Sequence, residues 1–498
     1  MIRLERDAYR ERMFLKGVIL LLTALFLGAF FWVALHRMNY PYELEWREDI
    51  IFESINRVLS GELVYCPPSI QWIAPPVSPL YIYLCALIEK IFGQSVFLPR
   101  LLSLIAFTCS SFLLYRFLRK TGVEDVFALG AIGLYLGFFY LTGSRYDLAH
   151  PYSLAIFFAL AALSAAVMNE NSKNAVLSGI YAILAFFTRT EFILLWILLA
   201  LNYHIFCRRL TKYYLIPSGI VFLSGIIILH FSSAGWYWIY VYFPFISGKI
   251  NFQALWSFWW KDLFVRLPIL SVLSWVGFYG LIRLFIRRRH RHSDRIMAVM
   301  VIGFFALSFF SRFFALEETA LHIPVFLALT GLSAWSLQHF HVNEYELGWL
   351  LPAGAKILVI IQMMVLFYLP NQLIPTELDR EKGDRFIAKI SDYPDNIYVP
   401  YHPYYQRLAG KSAFAEGNFL RRYNESAVSS AFYQVSADID GLIEQRFFSA
   451  VILDEPRLSP PLLLQEKYRL VETIFQRRDS FYQRTGYKTR PQFIYQPR

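Results

Sequence analysis

Three carboxylates follow the first apolar segment in close succession: Glu45, Glu48 and Asp49, within the run Tyr42-Glu43-Leu44-Glu45-Trp46-Arg47-Glu48-Asp49. In a helix these positions stand at i, i+3 and i+4, so the acids share one face while Ile51, Ile55 and Val58 share another. An acidic, amphipathic helix beside a membrane span is a lead for acid–base chemistry. The competing interpretation is a solvated polar face on an interfacial helix. Further along, Arg145 and Asp147 share a short loop, Arg189 and Glu191 end another apolar run, and Arg312 precedes Glu317 and Glu318. Charges near membrane depth cost about 2.5 to 3.5 kcal/mol each, so such groups face cavities or partners. Taken singly, Arg189 and Arg312 also fit snorkelling at helix ends, and Asp147 fits a helix N-cap.

Whether these pieces meet depends on topology. Of 498 residues, 56% are hydrophobic and 18% aromatic but only 17% charged, the composition of a polytopic membrane protein. The net charge of +11 does not indicate nucleic acid, because the basic residues fall in short clusters between apolar runs, as the positive-inside rule requires. Cys66, Cys85, Cys109 and Cys207 have no paired spacing, so neither a disulfide framework nor a thiolate metal site follows. The run from Gly17 to Leu35 is too long for a signal-peptide core and reads as the first span.

Arg3, Arg6, Arg10, Arg12 and Lys16 place the N-terminus in the cytoplasm and the acidic stretch outside. The prolines of Ala74-Pro75-Pro76 and Pro79-Leu80 start a membrane-associated helix from Leu80 to Ile91. Spans are then expected at 98–117, 126–141 and 152–168, and ending near Thr188, Cys207, Phe231 and Ile286. The run Arg287-Arg288-Arg289-His290-Arg291-His292 anchors the cytoplasmic side before spans ending at Ser311, at 320–337 and at 351–369, eleven in all. The tryptophans from Trp236 to Trp260 suit the headgroup region.

An odd number of spans leaves the C-terminus outside. Residues 1–370 form the membrane domain, and 371–498 have the composition and size of a small α/β domain. There Ile397-Tyr398-Val399 and Ala450-Val451-Ile452-Leu453 read as buried strands and Ile439 to Phe448 as helix. In this topology the first-loop acids, Arg145, Asp147, Arg189 and Arg312 all lie on the outer face.

The order of an acidic first outer loop, Gly61-Glu62-Leu63-Val64-Tyr65, the Pro-Pro and Pro-Leu segment and Leu98-Pro99-Arg100-Leu101-Leu102-Ser103 resembles the polyprenyl-phosphate-sugar-dependent glycosyltransferases of the C superfold. It is most similar to bacterial relatives of protein O-mannosyltransferases and the lipid A aminoarabinose transferase. Arg145-Tyr146-Asp147 resembles their basic-x-Asp segment, and Phe186-Phe187-Thr188-Arg189 their Phe-x-Thr-Lys/Arg. Two departures bear on the site: the acids after the first span do not form the relatives' Asp-Glu pair, and Ala74 stands where some relatives carry lysine.

The resemblance implies transfer of a sugar from an undecaprenyl- or dolichyl-phosphate carrier to a hydroxyl of a lipid, glycan or protein, with inversion. The reaction would occur at the extracytoplasmic face of the plasma (inner) membrane, among membrane lipids. Glu45 is then the expected base and Glu48 the second choice, with Arg189 and Arg312 on the carrier phosphate. Arg145 either holds a second phosphate oxygen or pairs with Asp147. Asp49 and His322 complete the substrate side. Asp147 either orients the acceptor or shares a divalent cation (Mg, Mn or Ca) with Glu45. The alternative is a polytopic lipid or glycan transporter or flippase without covalent transfer.

Overall fold

Helices begin and end in this chain where charge, proline and left-handed turns dictate. The computed structural model describes all residues except 1, 243–251, 314–321, 343–349, 426–428, 456–461, 477–480 and 487. The expected acids Glu317 and Glu318 therefore lie outside the described residues. α1 (Ile2–Arg37) carries the first apolar run and ends in His36 and Arg37. α2 (Glu48–Leu59) starts with Glu48 and Asp49, which complement the positive end of its dipole. α3 (Pro79–Phe92) opens with proline at its first position, where the missing N–H costs nothing.

α4 (Phe97–Lys120), α5 (Asp125–Gly137), α6 (Tyr152–Met168), α7 (Ser172–Thr188), α8 (Ile193–Phe206) and α9 (Arg208–Ser232) follow, then Pro268–Ile286, His292–Phe313, Ile323–Val342 and Leu350–Val365. A helix thus lies at each expected span. By length and composition alone five of the described helices can cross a membrane, and six if the pair bent by 46° after Val365 counts as one. α5 ends at Gly137 rather than near Leu141, because the chain turns through Gly143 (φ +77°) and Ser144 (φ +50°). That turn carries Arg145–Ala149 back against the end of α1.

Small residues let the helices approach closely. A Cβ at Gly179 in α7 would stand 2.7 Å from the Tyr214 carbonyl of α9. α6 packs between α4 and α7, and α1 packs against α5. One apolar core fills this bundle, with Phe30, Phe107, Phe139 and Tyr146 in mutual ring contact.

The C-terminal residues fold as helices around one mixed sheet. Its strands are β1 (Ile397–Tyr398), β2 (Ala450–Glu455), β3 (Tyr468–Thr473) and β4 (Arg490–Pro497), in the order β1-β2-β4-β3. β1 runs parallel to β2, and the other two pairings are antiparallel. The helix expected over 439–448 spans Ser430–Glu444 instead. It stops before Arg446, whose φ of +58° turns the chain so that Phe448 stacks on Tyr398.

A second apolar core runs without a break from the segment after α1 into this sheet, through Tyr42, Ile50, Phe52, Phe386, Tyr404, Tyr405 and Phe481. The Tyr42 ring stands edge-on to Phe481 at 5.4 Å. Gly383 in the helix Glu377–Ser391 makes room for it, since a Cβ there would collide with the Tyr42 ring. The C-terminal domain is therefore seated on the loop that carries the candidate acids.

Candidate functional site

The C-terminal end of α1 supplies a further arginine. Arg37, fully buried, donates from Nε to Asp147 Oδ2 at 2.5 Å and from Nη2 to Asp147 Oδ1 and the Ser144 carbonyl. Asp147 is therefore neither an N-cap of α6, whose cap position is Pro151, nor the partner of Arg145. Its two oxygens face a guanidinium fork, a geometry that fixes orientation as well as charge.

Glu48 is anchored more completely. Arg100 of α4 donates to it from Nε at 2.9 Å and Nη2 at 2.8 Å, and the backbone N–H groups of Ala149 and Leu44 donate at 2.9 Å each. Four donors fill the carboxylate's acceptor capacity. Burial pushes the Glu48 carboxyl up, but Arg100 and the two N–H groups outweigh it and hold the group below the usual carboxylate range. Arg100 also donates to the carbonyls of Arg37, Tyr40 and Tyr42, so this one side chain fastens the exit of α1, the start of α2 and the 145–149 loop together.

Glu45 lies before α2 rather than within it, so it does not share the helical face expected for the three acids. Its Oε2 accepts the Arg47 N–H at 3.0 Å, and its Oε1 stands 3.0 Å from Arg145 Nη2. Glu45 is 1% exposed and Arg145 7%. The pair joins the loop after α1 to the loop after α5, with the Arg37–Asp147 and Arg100–Glu48 pairs fixing its frame.

Asp49 turns away from this frame. Its Oδ1 accepts the Ile50 N–H, and its buried Oδ2 has no hydrogen-bond partner among the described residues. Burial, followed by the charges of Glu43 and Glu416, pushes its carboxyl well above the ordinary range. Beside it, His402 of the C-terminal domain stands between Glu43 (Nδ1 to Oε2, 2.8 Å) and Asp454 (Nε2 to Oδ2, 3.0 Å). Burial alone would lower the imidazole, but the two carboxylates raise it well above its usual value.

Arg189 sits at the end of α7, its Nε 2.9 Å from Glu191 and its guanidinium 4.6 Å from the Tyr152 ring centroid. Tyr152 donates to Glu191 at 2.8 Å and stacks on His150, so Arg189 borders the 145–150 loop. Arg312 and His322 are also brought together, by an acid not singled out from sequence: Asp262 Oδ2 stands 3.2 Å from Arg312 Nε and 3.2 Å from His322 Nε2. A π-helical turn, Phe258–Phe264, presents that acid amid the aromatic loop.

No protein-family model and no curated protein sequence matches the chain. Among solved structures, that of ArnT from Cupriavidus metallidurans bound to undecaprenyl phosphate aligns with a TM-score of 0.57 at 12% identity, over 96% of this chain and 98% of that one. The chain has the ArnT fold. The apo state of ArnT gives the same score and identity, over 96% of this chain and 97% of ArnT. These alignments run over nearly the whole length of both chains.

Within the ArnT fold, the divalent cation expected between Glu45 and Asp147 does not fit the side chains as placed. Each carboxylate already faces a guanidinium, and among the described residues no group of three His, Cys, Asp or Glu side chains converges to hold a metal. Arg37 and Arg100 were legible in principle. Arg37 ends the first apolar run and Arg100 stands near the start of another apolar helix, and an ionisable group at the end of such a run calls for a partner.

Proposed function

We propose that the chain is a membrane glycosyltransferase that moves a sugar from a polyprenyl-phosphate carrier to an acceptor hydroxyl at the extracytoplasmic face, with Glu45 as the base. The Glu45–Arg145 contact, held in a frame of two buried ion pairs, carries this reading. The ArnT fold supports it, since ArnT is seen with undecaprenyl phosphate.

In this reading Glu45 takes the acceptor proton as the oxygen attacks the anomeric carbon. The bond from that carbon to the phosphate oxygen breaks, its electron pair passes to the carrier phosphate, and configuration inverts. Glu48 is left with a structural role because its lone pairs are all committed. Arg145, 3.0 Å from Glu45, aims the base and moves to a phosphate oxygen as the base is protonated. Arg189, beside the 145–150 loop, takes the developing phosphate charge, a role worth more in the transition state than in the ground state. Arg312, with His322 on Asp262, offers a second guanidinium for the carrier.

The test is transfer by the full chain in vesicles supplied with radiolabelled undecaprenyl- and dolichyl-phosphate sugars. Label should become covalently attached to an acceptor. Movement of intact carrier between leaflets without covalent transfer would overturn the reading in favour of a flippase.

A further inference from the structure

The C-terminal domain reaches the Glu45–Arg145 pair through one short segment. Gln483 donates to Glu43 at 3.1 Å, and Thr485 donates to the Leu44 carbonyl twice, from its N–H at 3.1 Å and from Oγ1 at 3.0 Å. Arg484 is tied back to Asp379 of its own domain. Gly486 follows with φ +74°, and a Cβ there would stand 3.2 Å from Arg145 Nη2, Glu45 Cγ and Glu45 Oε1 alike. The segment lies along the chain from Glu43 to Glu45, and Glu43 also meets His402, so the clamp that seats the domain fixes the segment's distance from the pair.

Gly486 is exposed while Glu45 beneath it is 1% exposed. An acceptor must reach the Glu45 carboxylate where a covering element gives way. The 145–149 loop is fastened by Arg37 and Arg100, whereas the 483–486 segment belongs to a separate domain and is held here mainly by Thr485 and Gln483. We propose that residues 483–486 are the acceptor-side wall of the catalytic site and that Gly486 sets the room beside Glu45. This rests on the assignment of Glu45 as base of a glycosyltransferase. A side chain at 486 displaces the carboxylate or the Arg145 guanidinium, and thereby the proton transfer, while Arg189 and Arg312 keep the carrier bound.

Gly486→Ala in the full chain is the direct test, with Gly410→Ala as the control for backbone strain. Gly410 has nearly the same φ, +72°, in the same domain, and a Cβ there meets nothing within 4 Å. With a radiolabelled undecaprenyl-phosphate sugar and native membrane lipids as acceptor, G410A should transfer at the wild-type rate. G486A should lose about 10- to 100-fold in kcat with unchanged KM for the carrier, the loss expected from a displacement on the order of 1 Å. Equal rates in the two variants overturn the wall. If G486A does not fold, Thr485→Val keeps the glycine and removes one bond to Leu44. It should raise KM for the acceptor without changing KM for the carrier, and unchanged acceptor KM overturns the proposal. Glu45→Gln in the same assay separates the two claims: an active wild type with inactive E45Q, and G486A equal to G410A, rejects the wall alone. A wild type inactive with every carrier rejects the glycosyltransferase reading and the wall with it.

Discussion

Glu45 Oε1 and Arg145 Nη2 stand 3.0 Å apart, and their contact joins the loop after α1 to the loop after α5. Neither side chain is positioned by its own helix. Their placement depends on Arg37 and Arg100, which turn two buried acids into fixed points. The predictions below follow from that division between frame and working pair.

Removing one member of a frame pair leaves a buried charge without its partner. Arg100→Leu and Glu48→Leu should each destabilise the protein by about 3–5 kcal/mol, and the double replacement should cost less than their sum. Thermal unfolding of the detergent-solubilised protein measures this. Additive losses would mean that the two side chains do not act as a pair.

His402 and Asp49 make the seat of the C-terminal domain sensitive to pH. Both groups have raised folded-state pKa values, so each contributes stability that is full below its unfolded value and is lost as pH rises through its folded value. Amide exchange in β2 and in the 483–486 segment should accelerate as pH is raised above neutral, beyond the intrinsic dependence. His402→Gln should loosen the same regions already at neutral pH, by about 3–5 kcal/mol, through the unpaired Glu43 and Asp454. Faster protection loss toward acid pH would contradict these directions.

Asp49→Asn tests the unpartnered buried oxygen. At pH 8 an amide avoids the cost of a buried carboxylate near Glu43 and Glu416, so the variant should be more stable by about 1–3 kcal/mol. The gain should vanish below about pH 3, where the wild-type carboxyl is protonated in both states. Destabilisation at pH 8 would show that the charge is needed.

Arg189 faces the carrier side in this account. Arg189→Ala should lower kcat by about 10²- to 10³-fold, the scale of a lost transition-state donor, while Arg189→Lys recovers part of it. Transfer kinetics at saturating carrier decide the matter, and an effect confined to KM would assign Arg189 to binding only.

The bundle was readable because apolar runs and basic clusters report membrane depth directly, and a helix lies at every expected span. The site was readable only in its residue types. Glu45, Glu48 and Asp49 stand together in sequence, yet one meets Arg145, one is saturated by Arg100 and one faces the C-terminal domain. Helical periodicity could not separate them, because α2 begins only at Glu48. Asp147 was singled out without its partner, since Arg37 lies 110 residues earlier and only the turn at Gly143 and Ser144 brings the two together. His402 and Gly486 carry no local signature at all; their meaning arises from the docking of one domain on another.

The most direct test of the central claim is single-turnover transfer from a radiolabelled undecaprenyl-phosphate sugar by wild type and Glu45→Gln, with the affinity for undecaprenyl phosphate measured alongside. The account predicts a loss of about 10²- to 10⁴-fold in transfer with unchanged carrier affinity. Transfer by Glu45→Gln at the wild-type rate would contradict it.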